Sequence, residues 1–519
     1  MAYMARHPQL IRGKRSCGIA FALLLCLLAS PASSQAPCSG IADLLLPDVF
    51  ITKAVTIDGT KSGTQVKVPH CQVDGVIGKE IHFSLILPDD WNGRFIMGGG
   101  GGYVGQVQNA ALGTANLGYA TVGTDTGHQG NGLRADWALD DLERQLNFGH
   151  LAVHRTAVVA RALIRARYGS DPEYSYFIGC SRGGGQALME AQRYPEDFHG
   201  IISGAPAFHW TGFMAEFVQN MQLNFPDPND LSQSVITSDN LALLESSILK
   251  ACDDIDGVQD GVMEDPRDCT FDLAGIPFCP DDRSAPDCFT NDQRAAIERV
   301  YAPTVNQDGP IYPGQPCGSE AHGWFPWITG ANENLIKQYN GQIPNLQFGF
   351  GTEFFKYFVF GDPEWDYSRY DFSTWKEDTY FVSTFVDATN PDLGPFKARN
   401  GKLILWHGWS DPALTALGSI EYYEQVESLD PDVRDYFRMF LIPGMLHCGG
   451  GPGPSQVDWI SLIVNWVENG TPPERVIASK RDNNGQETRT RPLCAYPQRA
   501  FYLGEGDTDR AENFACREP

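Results

Sequence analysis

Residues 179–183 read Gly-Cys-Ser-Arg-Gly, the G-x-S-x-G pattern that can hold a nucleophilic serine in a sharp turn. The run 174–178 before it is aromatic and β-favouring, and the run 184–191 after it can open a helix. A strand, a tight turn and a helix in this order expose the Ser181 hydroxyl and aim the next backbone N–H at an oxyanion. The pattern therefore predicts Ser181 as a nucleophile and the N–H of Arg182 as an oxyanion donor.

A serine hydroxyl is a weak nucleophile, so this chemistry needs a histidine that takes its proton and an acid that orients the histidine. The strand-like run 402–406 leads into a loop that carries Asp411, and the run 438–442 leads into a loop that carries His447. The order Ser181, Asp411, His447 is the chain order of the catalytic triad in α/β-hydrolases. We therefore expect these three side chains to meet.

Other readings of the triad positions remain open from the sequence. Asp411 could be a turn residue before Pro412, and His447 could be an ordinary histidine of a glycine-rich loop. His407 stands before the acid, so we expect it to line the pocket or to be structural. Structural roles are also expected for His128, His150, His154 and His209.

The glycine run 98–102 follows a strand-like segment and lies where a second oxyanion donor is expected. We expect Gly100 or Gly101 to supply that N–H, and the sequence does not separate the two. A phosphate-binding loop is the competing interpretation, but no G-x-x-x-x-G-K-[ST] motif follows.

The elements that must position these residues alternate between strand-like and helical patterns over residues 66–207 and again over residues 401–519. Such alternation predicts a mostly parallel sheet flanked by helices on both faces. Between 208 and 400 the chain is rich in Pro, Gly, Asp and aromatic residues and has few periodic runs, so we expect an insertion there. The predicted divisions are thus a first core part (37–207), an insertion (208–400) and a second core part (401–519).

The N-terminal segment 1–36 has basic residues, a short apolar run and then small residues, the layout of a cleaved secretory signal. The apolar run is too short to span a bilayer, although a retained anchor is the alternative. The formal net charge of -25 argues against a nucleic-acid or anionic-membrane partner. We expect a secreted or periplasmic protein with no membrane association after signal removal, and nothing in the sequence implies a protein partner.

Export makes the cysteines informative, because most of them should be paired in an oxidising compartment. Cys180 precedes the predicted nucleophile and Cys448 follows the predicted base, so a real triad would bring these two thiols together. Spacing favours local bridges elsewhere, but sequence alone does not fix connectivity. The local candidates are Cys252 with Cys269, Cys279 with Cys288, Cys494 with Cys516 and also Cys38 with Cys71, which leaves Cys317 over.

An acidic loop near the start of the insertion could bind a metal ion. Asp253, Asp256 and Asp260 lie close together in it, and the carbonyls of Val258 and Val262 could complete an oxygen shell for Ca²⁺. The loop is no EF-hand, because the twelfth position from its second aspartate is arginine. A solvated acidic turn is the alternative. Zinc is not favoured by the cysteines, since no C-x-x-C or paired Cys/His spacing occurs.

The Cys-Ser dipeptide at 180–181, Asp411 and the His-Cys dipeptide at 447–448 make this chain resemble the tannase and feruloyl esterase family. Other matching phrases are WNGRF (91–95), TDTGH (124–128) and GAPA (204–207), and the resemblance runs from about residue 38 to 516. It implies an α/β-hydrolase fold with a large inserted lid, a disulfide beside the triad and a structural Ca²⁺ in the lid.

The resemblance also implies a small ester of an aromatic acid, of feruloyl, galloyl or terephthaloyl type, as the substrate. The insertion contains many aromatic residues between 324 and 375, a few of which could form an apolar slot for a flat acyl group. Arg369 or Lys356 could meet a carboxylate or phenol on it. The alternatives are an exported lipase or peptidase on the same core, and a non-catalytic, calcium-dependent binding protein.

Overall fold

The computed structural model of the protein describes residues 36–59, 64–330 and 343–519. The predicted signal segment lies outside these ranges except for its last residue, Ala36. The strands are β1 Val49–Ile57, β2 His70–Ile77, β3 Ile81–Pro88, β4 Arg94–Gly98, β5 Ala120–Thr124, β6 Tyr174–Ser181, β7 Gly200–Pro206, β8 Thr304–Asn306, β9 Gly309–Tyr312, β10 Lys402–Gly408, β11 Phe437–Ile442, β12 Arg475–Arg481, β13 Glu487–Cys494, β14 Arg499–Tyr502 and β15 Phe514–Arg517.

Nine of these strands form the central sheet, in the order β1-β2-β3-β5-β4-β6-β7-β10-β11. The first three run antiparallel to their neighbours, and the six from β5 to β11 are mutually parallel. Strands β8 and β9, β12 and β13, and β14 and β15 form separate two-stranded sheets. Because parallel strands end at the same edge, the carboxyl ends of β4, β6, β10 and β11 share one side of the molecule.

Helices cover both faces of this sheet, and further helices lie in the segment between β7 and β10. In chain order they are α1 Cys38–Ile41, α2 Leu142–Leu146, α3 Ala152–Tyr168, α4 Arg182–Arg193, α5 Trp210–Asn224, α6 Ser238–Cys252, α7 Asn291–Tyr301, α8 Glu320–Trp327, α9 Leu346–Phe354, α10 Trp375–Val386, α11 Gly394–Ala398, α12 Ala416–Leu429 and α13 Trp459–Asn469. On β10, Leu403 and Leu405 join a core with α3, α4 and α12, whereas Ile404 joins a second core with α13. The alternation buries both faces and confirms the expected α/β-hydrolase architecture.

Strands β7 and β10 are neighbours in the sheet, with Gly200 opposite Lys402, although almost 200 residues separate them in the chain. The described residues between these two strands form seven helices, which is more regular structure than the irregular composition of residues 208–400 predicts. Helix α5 shows why, because it is buried on nearly every side and so lacks the amphipathic periodicity that marks a surface helix.

Five cysteine pairs lie at disulfide distance, and they are the five expected from the sequence. The bonded pairs are Cys38–Cys71, Cys180–Cys448, Cys252–Cys269, Cys279–Cys288 and Cys494–Cys516. Cys317 is a free thiol, and burial raises its pKa to about 12, so it is a poor nucleophile. Across the described ranges, none of the helices has both the length and the apolar character needed to cross a bilayer.

Candidate active site

Ser181 ends β6 and precedes α4, with φ 62° and ψ −123°. This positive φ is a strained conformation for a residue with a side chain, and such strain persists only where the surroundings hold it. The flanking glycines are required by space, since a Cβ on Gly179 would lie 2.4 Å from the carbonyl of Gly183. A Cβ on Gly183 would in turn lie 3.1 Å from the carbonyl oxygen of Gly100. The G-x-S-x-G pattern is thus the steric condition for this turn.

Two more glycines let the helix after the turn lie close to the sheet. A Cβ on Gly184 would come 2.2 Å from the carbonyl oxygen of Gly204, and one on Gly185 would come 1.9 Å from that of Ala207. Helix α4 therefore packs directly on the end of β7, which fixes the direction in which Ser181 leaves the sheet.

Asp411 and His447 meet beyond the ends of β10 and β11. The Nδ1 of His447 lies 2.8 Å from Oδ2 of Asp411, and the carboxylate is 1 % exposed. Its other oxygen, Oδ1, accepts the N–H groups of Ala413 (2.8 Å) and Leu414 (3.0 Å). The acid is thereby fixed in one orientation and presents a single oxygen to the imidazole.

His407 is a further contact of this carboxylate that the sequence did not indicate. Its Nε2–H donates to the carbonyl of Leu414 at 2.9 Å, and the same nitrogen lies 3.3 Å from Oδ2 of Asp411. Burial by itself raises the pKa of Asp411, but the charge of His447 and the hydrogen bonds of His407 and His447 outweigh it and hold the pKa far below its ordinary value. Asp411 is therefore an anion throughout the neutral range.

The disulfide between Cys180 and Cys448 joins the residues next to Ser181 and His447, with a Cα–Cα distance of 5.9 Å. Cys448 also has a positive φ of 61°, so both ends of the bridge adjoin strained backbone. Ser181 and His447 line the same cavity. The arrangement can support proton transfer from the serine hydroxyl to the imidazole, as in nucleophilic catalysis.

The glycine run after β4 does not favour Gly100 or Gly101 as the second oxyanion donor. The N–H of Gly100 donates to Oε1 of Gln186 (3.2 Å), and that of Gly101 donates to Oε1 of Gln108 (2.9 Å). Gly102, which the sequence reasoning passed over, lines the cavity together with Ser181 and Arg182. Only the side-chain contacts distinguish these neighbouring glycines, so no sequence signal could have made the choice.

The cavity at Ser181 is mostly apolar. Its other lining residues are Ala207, Trp210, Phe213, Met214, Phe217, Trp327, Phe350, Ala413 and Leu414. Trp327 packs edge-on against His447 (5.2 Å between ring centroids) and stacks on Phe350 at 6.0 Å. Two of the aromatic residues that the sequence singled out in the insertion, Trp327 and Phe350, therefore reach the cavity.

Four lining residues of α5 were missed: Trp210, Phe213, Met214 and Phe217. They occur at positions i, i+3, i+4 and i+7, which is one face of a helix, but the buried residues on its other faces obscure this spacing in the sequence. Neither Arg369 nor Lys356 lines the cavity, and the Arg369 side chain is 86 % exposed beside Asp366.

The cation that does border the cavity is Arg182 itself. Its buried guanidinium donates to the carbonyls of Phe148 and Gly149 and lies over the rings of Phe148 (4.3 Å) and Trp210 (5.2 Å). Burial lowers its pKa to about 9. Arg182 thus ties the start of α4 to the turn before α3 and to the aromatic wall contributed by α5.

The acidic loop after α6 provides only oxygen ligands. Its glycines 257 and 261 have φ of 87° and 77°, as the tight bends require. Asp253 accepts the N–H of residue 261 (2.8 Å), Asp256 accepts those of residues 258 (3.0 Å) and 264 (2.9 Å), and Asp260 pairs with Arg491. Carboxylates clustered in a turn suit a hard cation such as Ca²⁺, so the donor chemistry fits.

The three loop carboxylates are nevertheless not the tightest potential metal group. Among the described residues, the group whose ligand atoms all lie within 4.8 Å of one another is His154, Glu190 and Asp197, elsewhere in the fold. No sequence pattern indicates this group, because its members come from three separate elements.

Comparison with known proteins places these features in context. The family model described as tannase and feruloyl esterase matches residues 66–517. The chain is 32 % identical to mono(2-hydroxyethyl) terephthalate hydrolase of Piscinibacter sakaiensis, over 95 % of this chain and 92 % of that protein, and 29 % identical to feruloyl esterase B of Aspergillus niger, over 90 % of each. The crystal structure of feruloyl esterase B from Aspergillus oryzae superposes with a TM-score of 0.83 at 25 % identity, covering 92 % of this chain and 99 % of that one.

Proposed function

Since this chain belongs to the tannase and feruloyl esterase family and is a carboxylic-ester hydrolase, we propose that it cleaves esters of aromatic acids with Ser181 as the nucleophile. The observation that carries the proposal is the 2.8 Å contact between His447 and a buried Asp411, with His447 and Ser181 on one aromatic cavity. A nucleophile, a base and an orienting acid are the parts that this reaction needs.

In the first half of the reaction, Ser181 Oγ attacks the ester carbonyl and passes its proton to Nε2 of His447. Asp411 accepts the Nδ1–H of His447 and stabilises the imidazolium that forms. The tetrahedral intermediate collapses when the imidazolium protonates the alkoxide, which leaves as the alcohol. Water, deprotonated by His447, then attacks the acyl-enzyme, and the acid is released as Ser181 regains its proton.

The negative charge on the intermediate needs two backbone donors. The N–H of Arg182 is one, and we assign the second to Gly102, because the N–H groups of Gly100 and Gly101 are already used by glutamine side chains. Preorganised donors of this kind contribute about 3 to 4 kcal/mol each to the transition state.

The lining of the cavity favours a flat, apolar acyl group. Trp327 and Phe350 stack on each other on one side of the cavity, and α5 supplies Trp210, Phe213 and Phe217. Aromatic walls favour a stacked ring over a flexible chain. The named substrates of the relatives, a terephthalate monoester and feruloyl esters, each carry one aromatic acyl ring and agree with this.

We further propose that residues 208–400 act as a lid over the core parts 37–207 and 401–519. Six of the apolar lining residues, all on α5, α8 or α9, come from this segment. The acidic loop within it would hold a structural Ca²⁺ through the carboxylates of Asp253, Asp256 and Asp260 and the carbonyls of Val258 and Val262. The ion would supply charge neutralisation and cross-linking of the loop, away from the reacting atoms.

Secretion into an oxidising compartment is supported by the five disulfides. A direct test is N-terminal sequencing of the mature protein from the medium or periplasm, where a start near residue 36 is expected. An intact N-terminus on cytoplasmic protein with reduced cysteines would contradict secretion.

The test of the catalytic proposal is the Ser181→Ala variant. We expect it to lose p-nitrophenyl ester hydrolysis and covalent labelling by a fluorophosphonate, while its circular dichroism and melting temperature stay near those of the wild type. Persistent labelling would refute the assignment of the nucleophile. Methyl ferulate, methyl gallate, a terephthalate monoester, long-chain esters and aminoacyl amides, compared by kcat/KM, would then separate an aromatic esterase from a lipase, a peptidase or a binding protein.

A further inference from the structure

Three potential metal ligands converge behind the helix that starts at the nucleophile. His154 lies on α3, Glu190 lies on α4, and Asp197 lies in the loop between α4 and β7. Each offers one ligand atom, and these atoms all lie within 4.8 Å of one another. The group is separate from the catalytic cavity and from the acidic loop.

Glu190 is the unexplained member of the group. It is 1 % exposed, and neither of its carboxylate oxygens has a hydrogen-bond partner in the part of the chain that the structure describes. A buried carboxylate without donors is costly, so a group of this kind is normally paired or bound to a metal. No hydrogen-bond donor among the described residues therefore satisfies the Glu190 carboxylate.

Asp197 is already oriented towards the same point. Its Oδ1 accepts a hydrogen bond from Arg161 at 2.5 Å, and its Oδ2 lies 2.6 Å from Nδ1 of His154. With Glu190 and Asp197 ionised and His154 neutral, as a metal ligand must be, Arg161 balances one of the two negative charges and the other remains. A divalent ion between the carboxylates and the imidazole would neutralise it.

We propose that His154, Glu190 and Asp197 bind one divalent transition-metal ion, with Zn²⁺ as the representative species. An imidazole nitrogen with two carboxylate oxygens is a ligand set that zinc and its neighbours accept, whereas Ca²⁺ and Mg²⁺ prefer oxygen alone. Three protein ligands leave one position for water in a tetrahedral site.

The surroundings also provide access and orientation. The side chain of His154 is 26 % exposed, so an ion can enter from the solvent edge of the imidazole. The Tyr194 ring stacks on His154 at 3.9 Å, and its hydroxyl lies 2.6 Å from Nδ1 of His150. This stacking holds the His154 ring in the plane that directs Nδ1 at Asp197 and the site, as the contacts around a ligand do in other metal sites.

The role of such an ion is structural. Glu190 follows Ser181 by nine residues, which is about 13 Å along a helix, too far to touch a reacting ester. The ion would join α3, α4 and the loop before β7, and so brace the helix whose N-terminus carries Ser181. This inference does not depend on which ester the enzyme cleaves.

The experiment measures metal binding by the full-length enzyme after a chelator has removed its metal ions and dialysis has removed the chelator. Ca²⁺ is first restored in excess, so that the acidic loop cannot contribute, and Zn²⁺ is then titrated by calorimetry. We expect one site per chain in the wild type, and a loss of affinity of about 100-fold or more in Glu190→Gln and in His154→Gln. Co²⁺ should give visible absorption bands of a protein-bound ion in the wild type but in neither ligand variant.

Glu320→Gln is the matched control, because Glu320 is also a fully buried glutamate with one unpartnered oxygen among the described residues but lies outside the group. It should bind Zn²⁺ like the wild type. Zn²⁺ should raise the melting temperature of the wild type and of this control but not that of the two ligand variants. The proposal is overturned if the wild type binds no Zn²⁺, or if Glu190→Gln and His154→Gln bind it as tightly as the wild type does. Glu190 would then share a proton with Asp197 instead.

Discussion

Replacing both Cys180 and Cys448 by serine tests two effects of their disulfide, one on the stability of this enzyme and one on the geometry of its active site. The two residues adjoin Ser181 and His447, and they are joined across 268 positions of the chain. Both ends adjoin backbone with positive φ, at residues 181 and 448. The covalent bond therefore holds two strained segments against each other.

The expected loss of stability follows from the length of the closed loop. In the chain-entropy relation, a separation of 268 residues corresponds to about 5.6 kcal/mol at 25 °C, as an upper value. The bridge between Cys279 and Cys288 spans 9 residues and corresponds to about 2.6 kcal/mol. The double variant at 180 and 448 should thus unfold at lower denaturant than the double variant at 279 and 288.

The expected loss of activity has a different origin. The chain after His447 continues with glycines at 449, 450 and 451, all with positive φ, so the loop has little stiffness of its own. Without the bridge, His447 can shift relative to Ser181. A displacement of about 1 Å lowers the rate of such chemistry by about 100-fold, so kcat should fall by that factor while KM changes little.

The assay is steady-state hydrolysis of a p-nitrophenyl ester under native conditions, paired with urea unfolding followed by circular dichroism. The variant at 279 and 288 serves as the control, with kcat expected to stay near that of the wild type. If the variant at 180 and 448 keeps kcat within twofold, the bridge does not position the triad. If its unfolding free energy falls no more than that of the control, the loop-length argument is wrong.

Three further predictions concern single side chains. Asp411→Asn should lower kcat by about 10⁴-fold at neutral pH with little change in KM, because the imidazole loses its orienting anion; a loss below tenfold would contradict the role of the acid. Burial raises the pKa of Glu216 to about 8 in the folded protein, whereas a glutamate in the unfolded chain has a pKa near 4. Between these pH values the unfolded state releases the Glu216 proton and the folded state keeps it, so the stability of the wild type falls as the pH rises. The unfolding free energy of Glu216→Gln should therefore rise relative to that of the wild type by up to about 5 kcal/mol from pH 4 to pH 8, as measured by urea unfolding at each pH. A difference that does not change with pH would refute the burial argument. Removal of Ca²⁺ should destabilise the wild type by about 2.7 kcal/mol relative to the protein with Ca²⁺ at 100 times its Kd. Asp256→Asn should have the melting temperature of the Ca²⁺-free wild type whether or not the ion is present. If Ca²⁺ stabilises this variant as much as the wild type, the acidic loop is not the Ca²⁺ site.

The strands and helices of the core could be predicted from the sequence to within a few residues. The strand expected at 402–406 is Lys402–Gly408, and the helix expected at 184–191 lies within Arg182–Arg193. The strand is recognisable as a short, continuous apolar run because both faces of the sheet are covered, and the helix follows directly on the glycines of the turn. Helix α5 was overlooked because it is buried on nearly all sides and so has no single apolar stripe.

What the sequence by itself determined is the set of local conditions for catalysis. Glycines flank the serine at 179 and 183, and an acid and a histidine each follow a strand-like run, so Ser181, Asp411 and His447 could be nominated before any distance was known. These signals are local because backbone sterics and strand-to-loop transitions depend on neighbouring residues.

The tertiary structure decided everything that depends on contacts between distant segments. It brought Gln186 to the N–H of Gly100 and gathered His154 with two carboxylates from other elements. Neither contact has a sequence spacing of its own, since each depends on how helices and loops pack on the sheet. The packing of distant segments determines the environment, and so the chemistry, of a buried side chain. The order of residues in the chain shows which segments can pack together but not which of them do.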